Sequence, residues 1–283
     1  MLELPDLEVV KDILTPRIVG RTVRGVEVNR ADLLQTGESS LVSLVGQEVC
    51  VVDSRGMYLF VSFGAGSELV LHPMRWAWLW HGPLGYVPST ATDLRLTFDD
   101  GTDLRLIERR SPRLARAWVG PGLASSSPLK DLGVDPLAPE FTVASLERAV
   151  HGRRRILKHV LTDQASIAGI GSVYADEILF RAKLSPVRFA HTLTSDEIHR
   201  LWHEVGGALR WAISEIRARV GNELFDREVR DFLHVHGKRD APCPDCGTSV
   251  AEFLHDGEQT NYCPQCQETV LPTGTDRGKA ARR

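Results

Sequence analysis

The sequence predicts an α+β multidomain chain: an N-terminal helix plus a β-sandwich, then a helical domain, then a C-terminal four-cysteine ribbon. Three observations predict it. Short β-type runs separated by turn residues fill residues 21–119. Helical periodicity replaces them over residues 142–230. Four of the five cysteines fall near the end as two Cys-x-x-Cys pairs.

The first element is a helix over residues 5–14. Pro5 suits the first helical position, and Asp6 and Glu8 suit the positive end of the helix dipole. Leu7, Val10, Ile13 and Leu14 share one face. Strands follow at Thr22–Val28, Glu48–Asp53, Tyr58–Phe63, Leu69–His72, Leu94–Phe98 and Leu104–Ile107, with turn chemistry such as Asp99-Asp100-Gly101-Thr102 between them. Many short strands at even spacing predict a sandwich or barrel, here spanning residues 1–120. Trp76, Trp78 and Trp80 alternate and so read as one face of a strand. A Pro-, Gly- and Ser-rich linker is expected over 121–139.

The helical domain is expected over 140–230. Its helices are Val143–Val150, Arg155–Leu161, Ser172–Arg181 and a long one through Leu201, Val205, Leu209, Ile213 and Ile216. Thr194-Ser195-Asp196-Glu197 resembles a capping box opening the last of these. The cysteine module takes 231–271, and a basic, disordered tail takes 272–283.

No apolar run reaches the ~18–20 residues of a membrane helix, and the acidic start (Glu3, Asp6, Glu8) is unlike a signal or transit peptide. A cytoplasmic location is expected. The net charge of −3 argues mildly against a nucleic-acid partner. Charge placement argues the other way. Arg109-Arg110, Arg113, Arg116, Arg153-Arg154-Arg155 and Lys158 cluster, and the tail from Arg277 to Arg283 is basic.

Cys243-Pro-Asp-Cys246 and Cys263-Pro-Gln-Cys266 each put two thiolates on a tight turn. Together they form a closed tetrahedral set, which is a structural zinc site with no open position for catalysis. About forty residues bury too little apolar surface to fold alone, so the metal supplies the stability. Val250–Leu254 and Gln259–Tyr262 are expected to pair as the ribbon's hairpin. Cys50 reads as a small apolar core residue.

The stretch from Asp163 to Glu177 carries Gly169 and Gly171 just before a helix that Ser172 opens. Glycines there allow a tight turn and close backbone approach, and the helix start offers unpaired N–H groups to an anion. Lys158, one helix upstream, is expected at the same anion. A dinucleotide fold is the rival reading, but no strand precedes the glycines and no third glycine follows.

These pieces together resemble the formamidopyrimidine-DNA glycosylase and endonuclease VIII family. The resemblance covers nearly the whole chain. It rests on Glu3-Leu4-Pro5, Leu132-Gly133-Val134-Asp135-Pro136-Leu137, the run from Asp163 through Tyr174-Ala175-Asp176-Glu177-Ile178-Leu179-Phe180 to Pro186, and Val235-His236-Gly237 leading into the cysteines. It implies a helix–two-turns–helix motif in the helical domain and double-stranded, damaged DNA in the cleft between domains, one zinc, and no nucleotide cofactor or membrane. A monomer that is nucleoid-associated when DNA-bound is expected. Base removal would follow base flipping. Glu3 matches the family's proton-shuttling glutamate. Lys158, Gly169, Gly171, Ser172, Tyr174, Arg113, His72 and Arg75 are the expected DNA contacts. Met74, Arg113 and Leu114 are the nearest matches to the void-filling wedge, and the tryptophans are alternative stacking partners for a flipped base.

Several positions depart from the family pattern. Leu2 stands where the family has its nucleophilic proline, Met57 where it has a phosphate-binding lysine, and Glu258 where it has an arginine. Ser172 replaces an asparagine, and Asp6 a glutamate. These changes predict a DNA glycosylase-like protein, removing or recognising damaged bases, with its strand-cleaving lyase step lost or weakened. An inactive DNA-binding or protein-interaction module is the alternative. A lyase using the α-amine of Met1 or Leu2 is a third reading.

Overall fold

The computed structural model describes residues 1–85, 92–123, 129–151, 154–255 and 257–268. The expected tail, Arg153, Asp256 and residues 124–128 of the expected linker lie outside the described residues.

Helix α1 (Leu4–Ile18) runs beyond the predicted 5–14 because two of its faces are buried. Val10, Leu14 and Ile18, spaced by four, enter the sandwich core. Val9 and Ile13 turn the other way and pack on Ile216 of the helical domain. One helix thereby fixes the angle between the two domains.

The sandwich has two antiparallel sheets. One holds β1 (Val23–Val28), β6 (Thr92–Phe98), β7 (Thr102–Glu108) and β5 (Ala77–Pro83), in that order. The other holds β2 (Val49–Arg55), β3 (Tyr58–Phe63), β4 (Ser67–His72) and β8 (Arg116–Pro121). A short α2 (Glu38–Val42) lies between β1 and β2. Inward residues Leu59, Val61, Leu69, Leu71, Leu79, Leu94, Leu96, Leu104 and Leu106 fill the space between the sheets. Cys50 is exposed, so its core assignment does not hold; the side chain falls on the outward face of β2.

Strand β8 lies outside the strands read from sequence. Only Ala117 and Val119 of it enter the core between the sheets, and it ends at Pro121, so its alternation is too short to mark a strand. Its pairing with β4, Leu71 opposite Ala117 and Leu69 opposite Val119, makes it a strand. The expected linker is also packed where described: Leu123 and Leu129 are buried with Phe60 and Val70.

Helices α3 (Val143–His151), α4 (Leu157–Leu161), α5 (Ser172–Arg181) and α6 (Ser195–Val220) form the second unit. The capping box opens α6 as predicted: the Thr194 N–H donates to Glu197 Oε2 at 2.8 Å, and the Glu197 N–H donates to Thr194 Oγ1 at 3.3 Å. Tyr174, Ile178, Leu179, Leu201, Val205 and Leu209 form its core. No helix among the described residues is long and apolar enough to cross a membrane.

The last unit is the hairpin of β9 (Ala251–His255) and β10 (Glu258–Tyr262) with the four cysteines. Helix α5 anchors it. Glu177 accepts N–H bonds from His234, Val235 and His236 at 3.0, 2.9 and 2.9 Å, which fixes the approach to the cysteines. The Gln267 amide completes the seat, donating to the Leu184 carbonyl and accepting the Cys263 N–H.

Candidate active site and nucleic-acid interface

Five segments are prominent around one cleft of about 650 Å³. They are the start of α1, the β2–β3 turn, the β4–β5 connection, the start of α5 and the tip of the β9–β10 hairpin. Of the residues singled out in the sequence, Glu3, Met57, His72, Arg75, Gly171, Ser172 and Glu258 line it together.

Glu3 forms the floor. Its carboxylate accepts N–H bonds from Gly171 at 2.8 Å, Val173 at 3.0 Å and Tyr174 at 3.2 Å, so it caps α5 across 168 residues of sequence. Its own N–H donates to Asp6 Oδ2 at 2.9 Å, which locks the backbone at the start of α1. Burial raises the Glu3 pKa above the ordinary carboxylate value, against the pull of Arg230 and the three N–H groups. A carboxyl in that state, at the base of a cleft, can hold a proton and give it up.

The two glycines therefore serve a purpose other than the one expected of them. A Cβ on Gly171 would lie 2.4 Å from the Glu3 carboxyl carbon, and one on Gly169 would lie 2.6 Å from Leu4 Cβ. Gly169 also sits at φ +90°, and its carbonyl accepts the Leu4 N–H at 3.0 Å. The close approach is to the N-terminal helix, and the anion at the helix start is the chain's own carboxylate.

Two further expectations are corrected. Lys158 is 2% exposed and donates to Asp176 Oδ1 at 2.7 Å, the Gln259 carbonyl at 2.8 Å and Thr260 Oγ1 at 3.0 Å. All three ammonium protons are used, so Lys158 joins α4 and α5 to the hairpin and has none left for a phosphate. Tyr174 is wholly buried, and its hydroxyl accepts from Arg230 at 3.2 Å. Arg113 is exposed but donates to buried Asp93 at 3.0 Å, at the edge of the sandwich. Of the other wedge candidates, Met74 lines the cleft with φ +56°, and Leu114 donates its N–H to Glu108 at 2.8 Å.

Arg230 escaped the sequence reading. It meets both Asp6 oxygens at 2.8 Å and so backs the floor. Only the fold pairs residues 224 positions apart. Glu228 was missed for the same reason, and it pairs with the Met1 amine.

The side walls are less polar. Met57 is buried at the β2–β3 turn, where Gly56 at φ +60° packs on Ala168. His72 stacks on Tyr58 with ring centroids 4.4 Å apart. Burial lowers its pKa to about 4, so the ring is neutral at pH 7. Ser172 donates its hydroxyl to the Gln259 carbonyl at 3.0 Å. Glu258 and Leu254 are exposed at the hairpin tip. Leu2 is buried and lines a neighbouring cleft.

The four cysteines fit a metal. Their sulfurs all lie within 4.8 Å of one another, with Cys243–Cys266 at 3.9 Å and Cys246–Cys263 at 3.4 Å. A tetrahedron with Zn–S bonds of ~2.3 Å has sulfur–sulfur edges of about 3.8 Å. Four thiolates leave no open position, so one zinc here is structural.

Comparison with known proteins agrees with this geometry. Residues 1–114 match the formamidopyrimidine-DNA glycosylase N-terminal domain, 132–221 its H2TH domain, and 241–269 the zinc finger found in FPG and IleRS. The formamidopyrimidine-DNA glycosylase of Pelotomaculum thermopropionicum is 31% identical over 277 residues, 95% of this chain and 99% of that one. That of Geobacillus kaustophilus is 32% identical over 94% of this chain and 100% of its own length. The MutM (FPG) structure from Thermus thermophilus superposes with a TM-score of 0.79 at 30% identity, over 95% of this chain and all of that one. Lactococcus lactis Fpg, solved with DNA containing an abasic site, shares the fold with a TM-score of 0.84 at 24% identity, over 94% of this chain and all of that one.

Proposed function

The chain belongs to the formamidopyrimidine-DNA glycosylase family, and from that premise we propose that it binds damaged duplex DNA and hydrolyses the bond between an altered base and its sugar, with strand cleavage weakened. It acts as a monomer without a nucleotide cofactor. The observation that carries this reading is the Glu3 carboxyl, held by three N–H groups at the floor of a cleft large enough for a flipped base. Glu3 takes a proton from water as its oxygen bonds to the sugar C1′. The C1′–N bond breaks, and the departing base receives the proton. Arg75 contacts phosphates at the cleft mouth, the Ser172 hydroxyl stays on the Gln259 carbonyl beside it, and His72 and Tyr58 present a neutral stacked wall.

Three features support the weakened lyase step. Leu2 lacks the secondary amine of a proline and is buried. The Met1 amine is tied to Glu228. Met57 and Glu258 bring no cation to hold flanking phosphates while an elimination proceeds. The test is a screen of duplexes carrying abasic, oxidised or alkylated sites, scoring free base and strand nicks separately. Free base without nicks is expected, and it should vanish in Glu3→Gln. A Glu3→Gln protein that still releases base would overturn the role of Glu3. A borohydride-trapped adduct in high yield would overturn the weakened lyase. Salt-sensitive duplex binding with no turnover on any substrate would leave a binding protein.

A further inference from the structure

Beside the Glu3 cleft lies a second one of about 650 Å³, sharing Arg75, Trp76 and Glu228 with it. Its wall is β5 and the chain leaving β7. Trp76, just before β5, and Trp78 and Trp80 within it alternate along the chain, and each carries a guanidinium. Arg110 lies 4.5 Å from the Trp76 ring centroid, Arg109 4.1 Å from Trp78 and Arg105 4.7 Å from Trp80. Trp78 is buried, whereas Trp76 is 39% exposed and retains open ring surface.

The opposite wall is the segment after α6: Phe225, Asp226, Arg227 and Glu228. Both acids there are engaged. Asp226 accepts from Arg109 at 3.1 Å, and Glu228 pairs with the Met1 amine. Arg75, Arg110 and Arg227 are exposed and have no acid partner among the described residues. The cleft thus combines surplus positive charge with an open aromatic face.

A duplex offers such a surface its phosphates but keeps its bases stacked inside. An unpaired strand offers both. We propose that this cleft holds an unpaired nucleotide of single-stranded DNA, its base against Trp76 and its phosphates on Arg110 and Arg227. The inference rests on the DNA-binding reading above and adds a second substrate form. The cleft also places cations next to a groove whose rim, at Met57 and Glu258, lacks them.

The test uses the full-length, zinc-loaded protein with a ten-nucleotide oligo-dT and an abasic oligomer of equal length. Binding is followed by tryptophan emission and by anisotropy of a labelled strand. Oligo-dT should quench emission and bind about tenfold more tightly than the abasic strand. Trp76→Ala should abolish that preference. Arg227→Ala, at an exposed position, should weaken both strands and flatten the salt dependence by about 0.7 in log–log slope. Equal binding of the two oligomers by the unaltered protein would overturn the proposal, as would a preference that survives Trp76→Ala. A protein that binds damaged duplex but not oligo-dT loses this inference alone. One that binds neither loses the DNA-binding reading as well.

Discussion

Two glutamates face one cleft and differ in every physical respect. Glu3, on the floor, is 1% exposed, accepts three N–H bonds and is backed by Asp6 and Arg230. Glu258, on the hairpin rim, is exposed, and no described group pairs with its carboxylate. The floor has one arrangement because leaving any buried polar member unpaired would cost free energy. The rim has many, because water satisfies whatever side chain stands there. Changes on the floor should therefore act through stability and turnover. Changes on the rim should act through affinity and salt dependence alone.

The largest expected effect lies at the metal, which holds the rim hairpin in place. Cys263→Ser should remove the one zinc and unfold the hairpin, since structural zinc in small modules supplies about 10–16 kcal/mol of apparent free energy. Zinc per chain by elemental analysis and amide hydrogen exchange over residues 241–268 measure it. Retained protection in a metal-free variant would show that the Asp176 and Glu177 anchors suffice, and the rim would then belong to the floor.

Lys158 comes next, because it separates burial from phosphate binding. Lys158→Met leaves Asp176 buried with, among the described residues, only His236 and the Asn261 N–H as partners. Breaking a buried pair from one side costs about 3–5 kcal/mol, to be read by urea unfolding. A phosphate contact would instead lower the slope of log affinity against log salt by about 0.9. An unchanged slope with lost stability is the expected result.

That residue also marks where sequence reading stops. The Thr194 capping box, the Ser172–Arg181 helix and the paired cysteines were legible because each is a local pattern, complete within a few residues. Lys158 and Glu3 were visible as charges, but partners from other domains decide their roles: Thr260 and Gln259, beside the nearer Asp176, for the first, and Gly171, Val173 and Tyr174 for the second. A helix start after two glycines has one appearance in sequence whether its anion is a phosphate or the chain's own carboxylate. The tryptophans of β5 were legible as a strand face, whereas the arginines that cover them arrive from β7 and the chain beyond it.

A pH profile sharpens the description of the wall between floor and rim. Burial lowers the folded pKa of His72 to about 4, from its ordinary value of 6.5. Between those values the unfolded chain binds a proton that the folded one excludes. Stability is therefore full above about pH 6.5 and falls as pH drops toward 4, by up to about 3 kcal/mol. His72→Phe, which keeps a ring against Tyr58, should remove that loss. An unaltered profile in the variant would place the acid sensitivity elsewhere.

The smallest expected effect is the most direct test of the rim. Glu258→Arg exchanges an exposed acid for an exposed cation at the hairpin tip, so stability should stay within about 0.5 kcal/mol. Duplex affinity at low salt should rise about tenfold, and the salt slope should steepen by about 0.9 as one phosphate contact is gained. Met57→Lys makes the opposite case. Met57 is 5% exposed, so a lysine there must bury its charge or displace the β2–β3 turn, and stability should fall before affinity rises. If Glu258→Arg changes neither affinity nor slope, the hairpin tip does not lie along the DNA backbone. If it lowers stability as Met57→Lys does, the division between floor and rim fails.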